Sequence, residues 1–204
     1  MTDLLEPAPS ARARCRGCAR KIEKGELRFG ERLPNPFGDG EATFWFHLGC
    51  AACMLSEKLL ATLAASALDV PERARLEQLA ETGVAHPRTT RVRGAERAPS
   101  GRARCRSCKQ LIESGAWRLS LGIVEEGRME PIGFIHVECS APYFETGNVL
   151  GRILHLTPAL TDADREEIAL RLAKPPPLAA PALVKAPAVE LPPDDAVVAT
   201  RRRG

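Results

Sequence analysis

No apolar run in the sequence approaches the ~20 residues that span a bilayer. The opening, MTDLLEPAPSARA, has no charged region followed by an apolar core, so a secretory signal is not expected either. These absences point to an intracellular protein away from membranes, in a bacterial cytoplasm and nucleoid or, in a eukaryote, in a nucleus. A large charge of one sign is also missing: 29 Lys and Arg face 26 Asp and Glu, leaving +3 over 204 residues. A diffuse attraction to polyanions therefore does not follow from the total. Its distribution is more informative. Residues 10–55 carry +3, residues 86–104 carry +5 and residues 105–145 carry −2, so any anionic partner is expected to bind locally.

What is present is a duplication. SARARCRGC at 10–18 and SGRARCRSC at 100–108 agree at seven of nine positions. Cys15-x2-Cys18 is followed after 28 residues by His47-x2-Cys50, and Cys105-x2-Cys108 after 27 residues by His136-x2-Cys139. Farther on, LDVPERARLEQLA (68–80) and LTDADREEIALRL (160–172) align at an offset of 92, matching Arg73 with Arg165 and Leu76 with Ile168. Matches on both sides of the cysteine motif imply that a whole unit of roughly 75 residues was copied. A unit that small usually needs a staple beyond its own core.

The cysteines supply one. In a reducing compartment, paired cysteines serve as metal ligands or redox groups more often than as structural disulfides. The βαβ setting of a redox pair is absent, and such a pair would leave both His-x2-Cys motifs unexplained. Three thiolates and an imidazole fill the four positions of structural zinc, so two Zn2+ per chain are expected, at Cys15, Cys18, His47 and Cys50 and at Cys105, Cys108, His136 and Cys139. Each ion could add on the order of 10 kcal/mol to folding. Cys53 competes for the first site, since Cys50-x2-Cys53 could close a four-cysteine set. Pro142 holds the corresponding place in the second copy, so Cys53 is read as a small buried residue.

The local patterns give the fold class: small α+β zinc-stabilised domains, two repeated units, each a short antiparallel sheet with a Cys3His site followed by helices. ELRFGERL (26–33) and WRLSLGIV (117–124) alternate as strands, and TFWFH and GFIHV carry each histidine near the end of a strand. A helix is predicted over 56–68 with Ser56 as N-cap, and a second from near Pro71 to Gly83. A third is predicted from Thr161, where Thr161-x-x-Asp164 forms a capping box. The expected layout is a disordered 1–9, unit 1 over 10–85, a basic linker over 86–99, unit 2 over 100–174 and a disordered Pro/Ala-rich tail over 175–204. That tail holds seven of the seventeen prolines.

The pattern R-A-x-C-x2-C, a strand-rich insert, then an aromatic two residues before H-x2-C resembles the poly(ADP-ribose) polymerase-type zinc finger, also found singly in a eukaryotic DNA ligase. The resemblance covers 10–55 and 100–145, and the tandem layout is similar to the polymerase. It implies binding to DNA at strand breaks, with one face on the phosphate backbone and an apolar loop over the exposed base pair. Arg12 and Arg102 match the family's first phosphate-gripping arginine, and Arg28 and Arg118 its second. The base-covering loop falls at 33–42 with Phe37 as the stacking residue, and Trp45 and Phe134 match the aromatic before the histidine. The second loop, VEEGRMEPI (124–132), is acidic and has no aromatic, leaving Met129 and Ile132 as weaker wedges. No ADP-ribose transferase domain fits in the remaining residues, so a binding protein is expected and not an enzyme.

On charge alone, Arg14, Arg16 and Arg104 join Arg12, Arg28, Arg102 and Arg118 as candidate phosphate contacts, with affinity that falls steeply with salt. A second class of function is an interaction scaffold, with protein partners bound through unit 2 or the tail. A nuclease arrangement of His136, Asn148 and His155 is the third. It is disfavoured because His136 is already a zinc ligand and unit 1 has no equivalent of Asn148 or His155.

Overall fold

The computed structural model describes residues 2–35, 38–125 and 128–177. Strands β1 (Leu4–Pro7), β2 (Leu27–Pro34) and β3 (Glu41–His47) form one antiparallel sheet in that order. Helices α1 (Leu48–Met54), α2 (Ser56–Ala65) and α3 (Arg73–Ala85) follow. After a 3-10 turn at Pro87–Arg91, β4 (Val92–Arg97), β5 (Trp117–Glu125) and β6 (Arg128–His136) repeat the sheet. A second 3-10 turn at Val137–Cys139, then α4 (Ser140–Phe144), α5 (Leu150–Leu156) and α6 (Asp162–Leu172), complete the second unit.

Strand alternation sets which residues face the metal. Arg28 pairs with His47 and Gly30 with Trp45 on one face, while Phe29 and Phe46 pair and are fully buried on the other. The second sheet repeats this with Arg118 opposite His136, Ser120 opposite Phe134, and Leu119 and Ile135 in the core. Each unit has its own core, and Leu156 packs against both.

Two stretches expected to be irregular are strands. The N-terminal 1–9 contains β1, paired with β2, and the expected linker 86–99 contains β4, paired with β5. The reason is visible in the chain: E-x-A-P-S precedes both copies of the arginine motif, at Glu6 and at Glu96. Ala8 and Ala98 are buried in matching places, and Glu6 and Glu96 each pair with an arginine of the neighbouring strand. The repeat thus begins before residue 10, and a strand too short to show periodicity is held by its neighbours.

The helices differ in smaller ways. Ser56 is the first residue of α2 and not its cap, because α1 runs almost directly into it; the Ser56 hydroxyl donates to the Ala52 carbonyl at 2.8 Å. Helix α3 runs through Gly83 to Ala85. Helix α6 starts as its capping box predicts, with the Asp164 N–H donating to Thr161 Oγ1 at 3.2 Å and the Thr161 N–H donating to Asp164 at 3.1 Å. The tail from residue 178 onward lies outside the described residues.

Candidate metal centres and nucleic-acid interface

Each Cys-x2-Cys turn is built by the same backbone bonds. The Cys15 N–H donates to Arg20 O at 2.9 Å and the Ala19 N–H to Cys15 O at 2.8 Å. Cys105 with Gln110 and Lys109 with Cys105 repeat these at 2.8 and 2.9 Å. The turn closes through Ala19 and Lys109 in the left-handed region, with φ of 59° and 65°. That conformation costs roughly 1–2 kcal/mol for a non-glycine residue. The turn is then fastened to the sheet by the aromatic strand residue: the Arg16 N–H donates to Trp45 O at 2.9 Å, and the Arg106 N–H to Phe134 O at 2.8 Å.

This framework brings together Cys15, Cys18, His47 and Cys50, and separately Cys105, Cys108, His136 and Cys139, with the ligand atoms of each set within 4.8 Å of one another. Tetrahedral zinc holds its ligand atoms about 3.3–3.8 Å apart. Cys18 Sγ lies 3.3 Å from His47 Nδ1, and Cys108 Sγ 3.4 Å from His136 Nδ1. The far nitrogen of each ring meets a carbonyl, Lys21 O at 2.9 Å and Leu111 O at 3.2 Å, which leaves Nδ1 free to ligate. Backbone N–H groups of His47 and His136 approach Cys15 and Cys105 Sγ at 3.4 Å, and Arg20 Nε approaches Cys18 Sγ at 3.4 Å.

The donors also need a cation. Hydrogen bonds with Cys15 and Cys50 hold the Cys18 thiol far below its ordinary pKa, while bonds with Cys15 and Cys18 push Cys50 far up. The bond with Cys15 raises His47 to about 10. In the second cluster the bond with Cys139 lowers Cys105 to about 4, and Cys139 rises in return. Three crowded thiols cannot all ionise unaided, and a dication among them removes the conflict. Both clusters are positioned to bind zinc. Cys53 is 1 % exposed in α1, belongs to neither cluster, and has its thiol raised to about 11 by burial.

The candidate phosphate contacts fall into two groups. Arg12, Arg14 and Arg16 are exposed and line a hollow of about 540 Å³ with Thr43 and Trp45. Gly30 permits this arrangement, since a Cβ there would lie 2.6 Å from the Trp45 ring. A second hollow, of about 640 Å³, continues from Arg16 past Arg20 to Arg93, Ser120 and Phe134 of the second unit. Arg28 is instead 7 % exposed, stacked 3.5 Å from the Trp45 ring centroid and ion-paired with Glu6 at 2.6 Å. Arg118 repeats this over Phe134 at 3.5 Å, paired with Glu96 at 2.5 Å. Both are held by internal partners, and each braces the aromatic before the histidine. Arg102 and Arg104 are exposed, and Arg104 donates to Lys109 O at 3.3 Å, much as Arg14 donates to Ala19 O at 3.2 Å. Phe37 lies outside the described residues, as does the Met129 side chain.

Residues 6–81 match the family described as the poly(ADP-ribose) polymerase and DNA-ligase zinc-finger region. Residues 6–81 are thus a zinc finger of that family. The chain is 31 % identical over 163 residues to a poly(ADP-ribose) polymerase of Sarcophaga peregrina, covering 67 % of this chain and 16 % of the relative. It is 29 % identical over 156 residues to poly(ADP-ribose) polymerase 1 of Gallus gallus (66 % and 15 %), and 26 % over 193 residues to that of Danio rerio (82 % and 18 %). The chain thus spans less than a fifth of the length of these relatives. The part it shares with them is the zinc-finger region, which is not itself catalytic. Among the described residues, no helix is long and apolar enough to cross a membrane.

Sequence reasoning missed three participants. Glu6 and Glu96 were legible as part of the repeat once it is extended four residues upstream. His155, which the sequence offered only for a disfavoured nuclease arrangement, lies with Nε2 3.5 Å from Cys50 Sγ. Its approach comes from the other unit, and no spacing rule reports a contact of that kind.

Proposed function

We propose that this chain is a zinc-dependent DNA-binding protein that favours ends, nicks or other strand discontinuities. The observation that carries the reading is the hollow lined by Arg12, Arg14 and Arg16 beside Trp45, with no carboxylate in its lining. Three exposed guanidiniums at that spacing suit a run of phosphates, and the zinc turn that holds them makes binding metal-dependent. The second hollow carries Arg20 and Arg93 across the junction of the units, and the one carboxylate in its lining, Glu96, is already paired with Arg118. Preference for a discontinuity rests on Phe37, three residues beyond the end of β2 in the sequence, since an aromatic side chain stacks on a base only where the base is open. Arg28 and Arg118 enter this reading as braces for Trp45 and Phe134, and Arg102 and Arg104 as weaker contacts of the second unit. The proposal places the protein with nucleic acid inside the cell.

Anisotropy titrations with nicked, blunt-ended and covalently closed duplex at two salt concentrations test it. Tighter binding to nicked and blunt DNA, weakening with salt and lost with a zinc chelator, is expected. Equal affinity for all three, insensitive to salt, would overturn it.

A further inference from the structure

Arg152 and His155 stand one turn apart on α5 of the second unit, and both reach into the first. Arg152 is 1 % exposed. Its Nη1 donates to Cys53 O at 2.5 Å and Ala52 O at 3.5 Å, at the end of α1, and its Nη2 donates to Leu79 O in α3. No carboxylate pairs with it among the described residues. The carbonyl end of α1 supplies partial negative charge instead. His155, three residues on, brings Nε2 to Cys50 Sγ at 3.5 Å. Its ring stands between that sulfur and a hollow of about 600 Å³ flanked by Arg20, His47 and Arg75.

The first unit is shaped for these two side chains. A Cβ on Gly49 would collide with His155 Cε1 and lie 2.7 Å from Nε2. A Cβ on Gly83 would collide with Ser56 Oγ and lie 2.5 Å from Arg152 Nη2. The copied unit does not contain the pair, since the positions 92 residues earlier are Leu60 and Leu63. Nor is the arrangement reciprocal: among the described residues, no hydrogen bond from unit 1 reaches Cys105, Cys108, His136 or Cys139.

We propose that the second unit completes the first metal centre, with His155 as a positioning residue that donates a hydrogen bond to the Cys50 thiolate and Arg152 as the pin that holds it there. Donation from Nε2–H spreads the sulfur's charge and makes it a poorer target for protons and electrophiles while zinc stays bound. Losing an outer-shell partner of this kind typically costs 10–100-fold in metal affinity. The two fingers then behave as one body, and zinc at the first site reports on the docking of the second unit.

The test uses the full chain with both sites loaded with zinc, and does not depend on DNA binding. Zinc release to a chromogenic chelator is followed alongside alkylation of Cys15, Cys18 and Cys50 and of Cys105, Cys108 and Cys139, resolved by peptide mass spectrometry. His155→Phe keeps the ring and removes the donor. Release and alkylation of the first set should accelerate about ten-fold or more, with the second set at the wild-type rate, and His155→Gln, which retains an N–H, should recover part of the protection. Unchanged rates at the first set, or equal acceleration at both, would overturn the proposal. Gly49→Ala displaces His155 without altering it, and so covers the case in which His155→Phe does not fold. The same selectivity is expected there, and wild-type rates would overturn the proposal equally.

Discussion

The two units share a turn, a sheet, a metal cluster and an arginine stacked on an aromatic, yet they differ in what surrounds those parts. In unit 1 the cluster is flanked by α5 of its neighbour, and the arginines before and between its first two cysteines open onto a hollow. In unit 2 the last helix, α6, closes on its own unit, through Arg171 with Glu138 at 2.7 Å and Glu167 with Arg97 at 2.5 Å. Duplication preserved what the metal requires, namely ligands, turn backbone and the brace of the histidine strand. It did not preserve the surfaces. Those diverged: unit 1 sets Arg12, Arg14 and Arg16 beside Trp45, whereas unit 2 gathers Arg106 and Lys109 with Arg88 and Arg91 at a different hollow and sends α5 against the first cluster.

The largest effect should come from the metal itself. Cys15→Ala and Cys105→Ala should each reduce bound zinc from two per chain to one, removing a contribution on the order of 10 kcal/mol from that unit. Elemental analysis with circular dichroism checks this, and Cys53→Ala should leave both ions in place. Next in size is the pin. Arg152→Ala leaves the Cys53 and Leu79 carbonyls without their donor in a buried space, at about 2–4 kcal/mol in urea unfolding. Its counterpart for comparison, Arg171→Ala, removes partly exposed pairs and should cost about 1 kcal/mol or less. If the two cost the same, the junction is not the special feature of unit 1.

The two candidate wedge residues offer a smaller contrast. Phe37→Ala should remove about 1–3 kcal/mol of preference for nicked over closed duplex, measured by competition, while Met129→Ala should leave that preference unchanged. The smallest effect lies in unit 2. The Arg97 guanidinium, the main cause, holds the Glu167 carboxyl down near about 2, against an ordinary 4.5. A carboxyl lowered in the folded state stabilises it above the unfolded pKa, and that stabilisation fades as pH falls through the folded one. The thermal midpoint of Glu167→Gln should therefore lie slightly below wild type at neutral pH, by no more than about 1 kcal/mol in stability for so exposed a pair. The two should converge between pH 4.5 and about 2.

Much of this molecule could be read before its structure. The eight metal ligands followed from spacing, because Cys-x2-Cys and His-x2-Cys each fix a local geometry that the backbone cannot avoid. Alternating residues placed β2, β3, β5 and β6, and Thr161 with Asp164 marked the start of α6. Strands β1 and β4 escaped because, at four and six residues, they are too short to show periodicity and are held by a neighbour's hydrogen bonds and by Glu6–Arg28 and Glu96–Arg118. The roles of Arg28 and Arg118 escaped for the same reason: a sequence shows an arginine beside an apolar residue, not the ring beneath it or the carboxylate across the sheet. His155 and Arg152 escaped because a contact between copies leaves no trace in either copy's pattern. Gly49 and Gly83 were its only local signs, and a glycine in a helical stretch does not name the side chain it admits.

The most direct test compares the two arginine motifs on one ligand. Arg12, Arg14 and Arg16 changed together to Gln, and separately Arg102, Arg104 and Arg106 changed together to Gln, are titrated against nicked duplex across a salt series. The first set should weaken binding at least ten-fold and flatten the slope of log K against log salt by about 2–3, as expected for the loss of three phosphate contacts. The second set should change both far less. Equal losses from the two, or a first set that binds as wild type, would contradict an account in which the copies share a fold and divide the work.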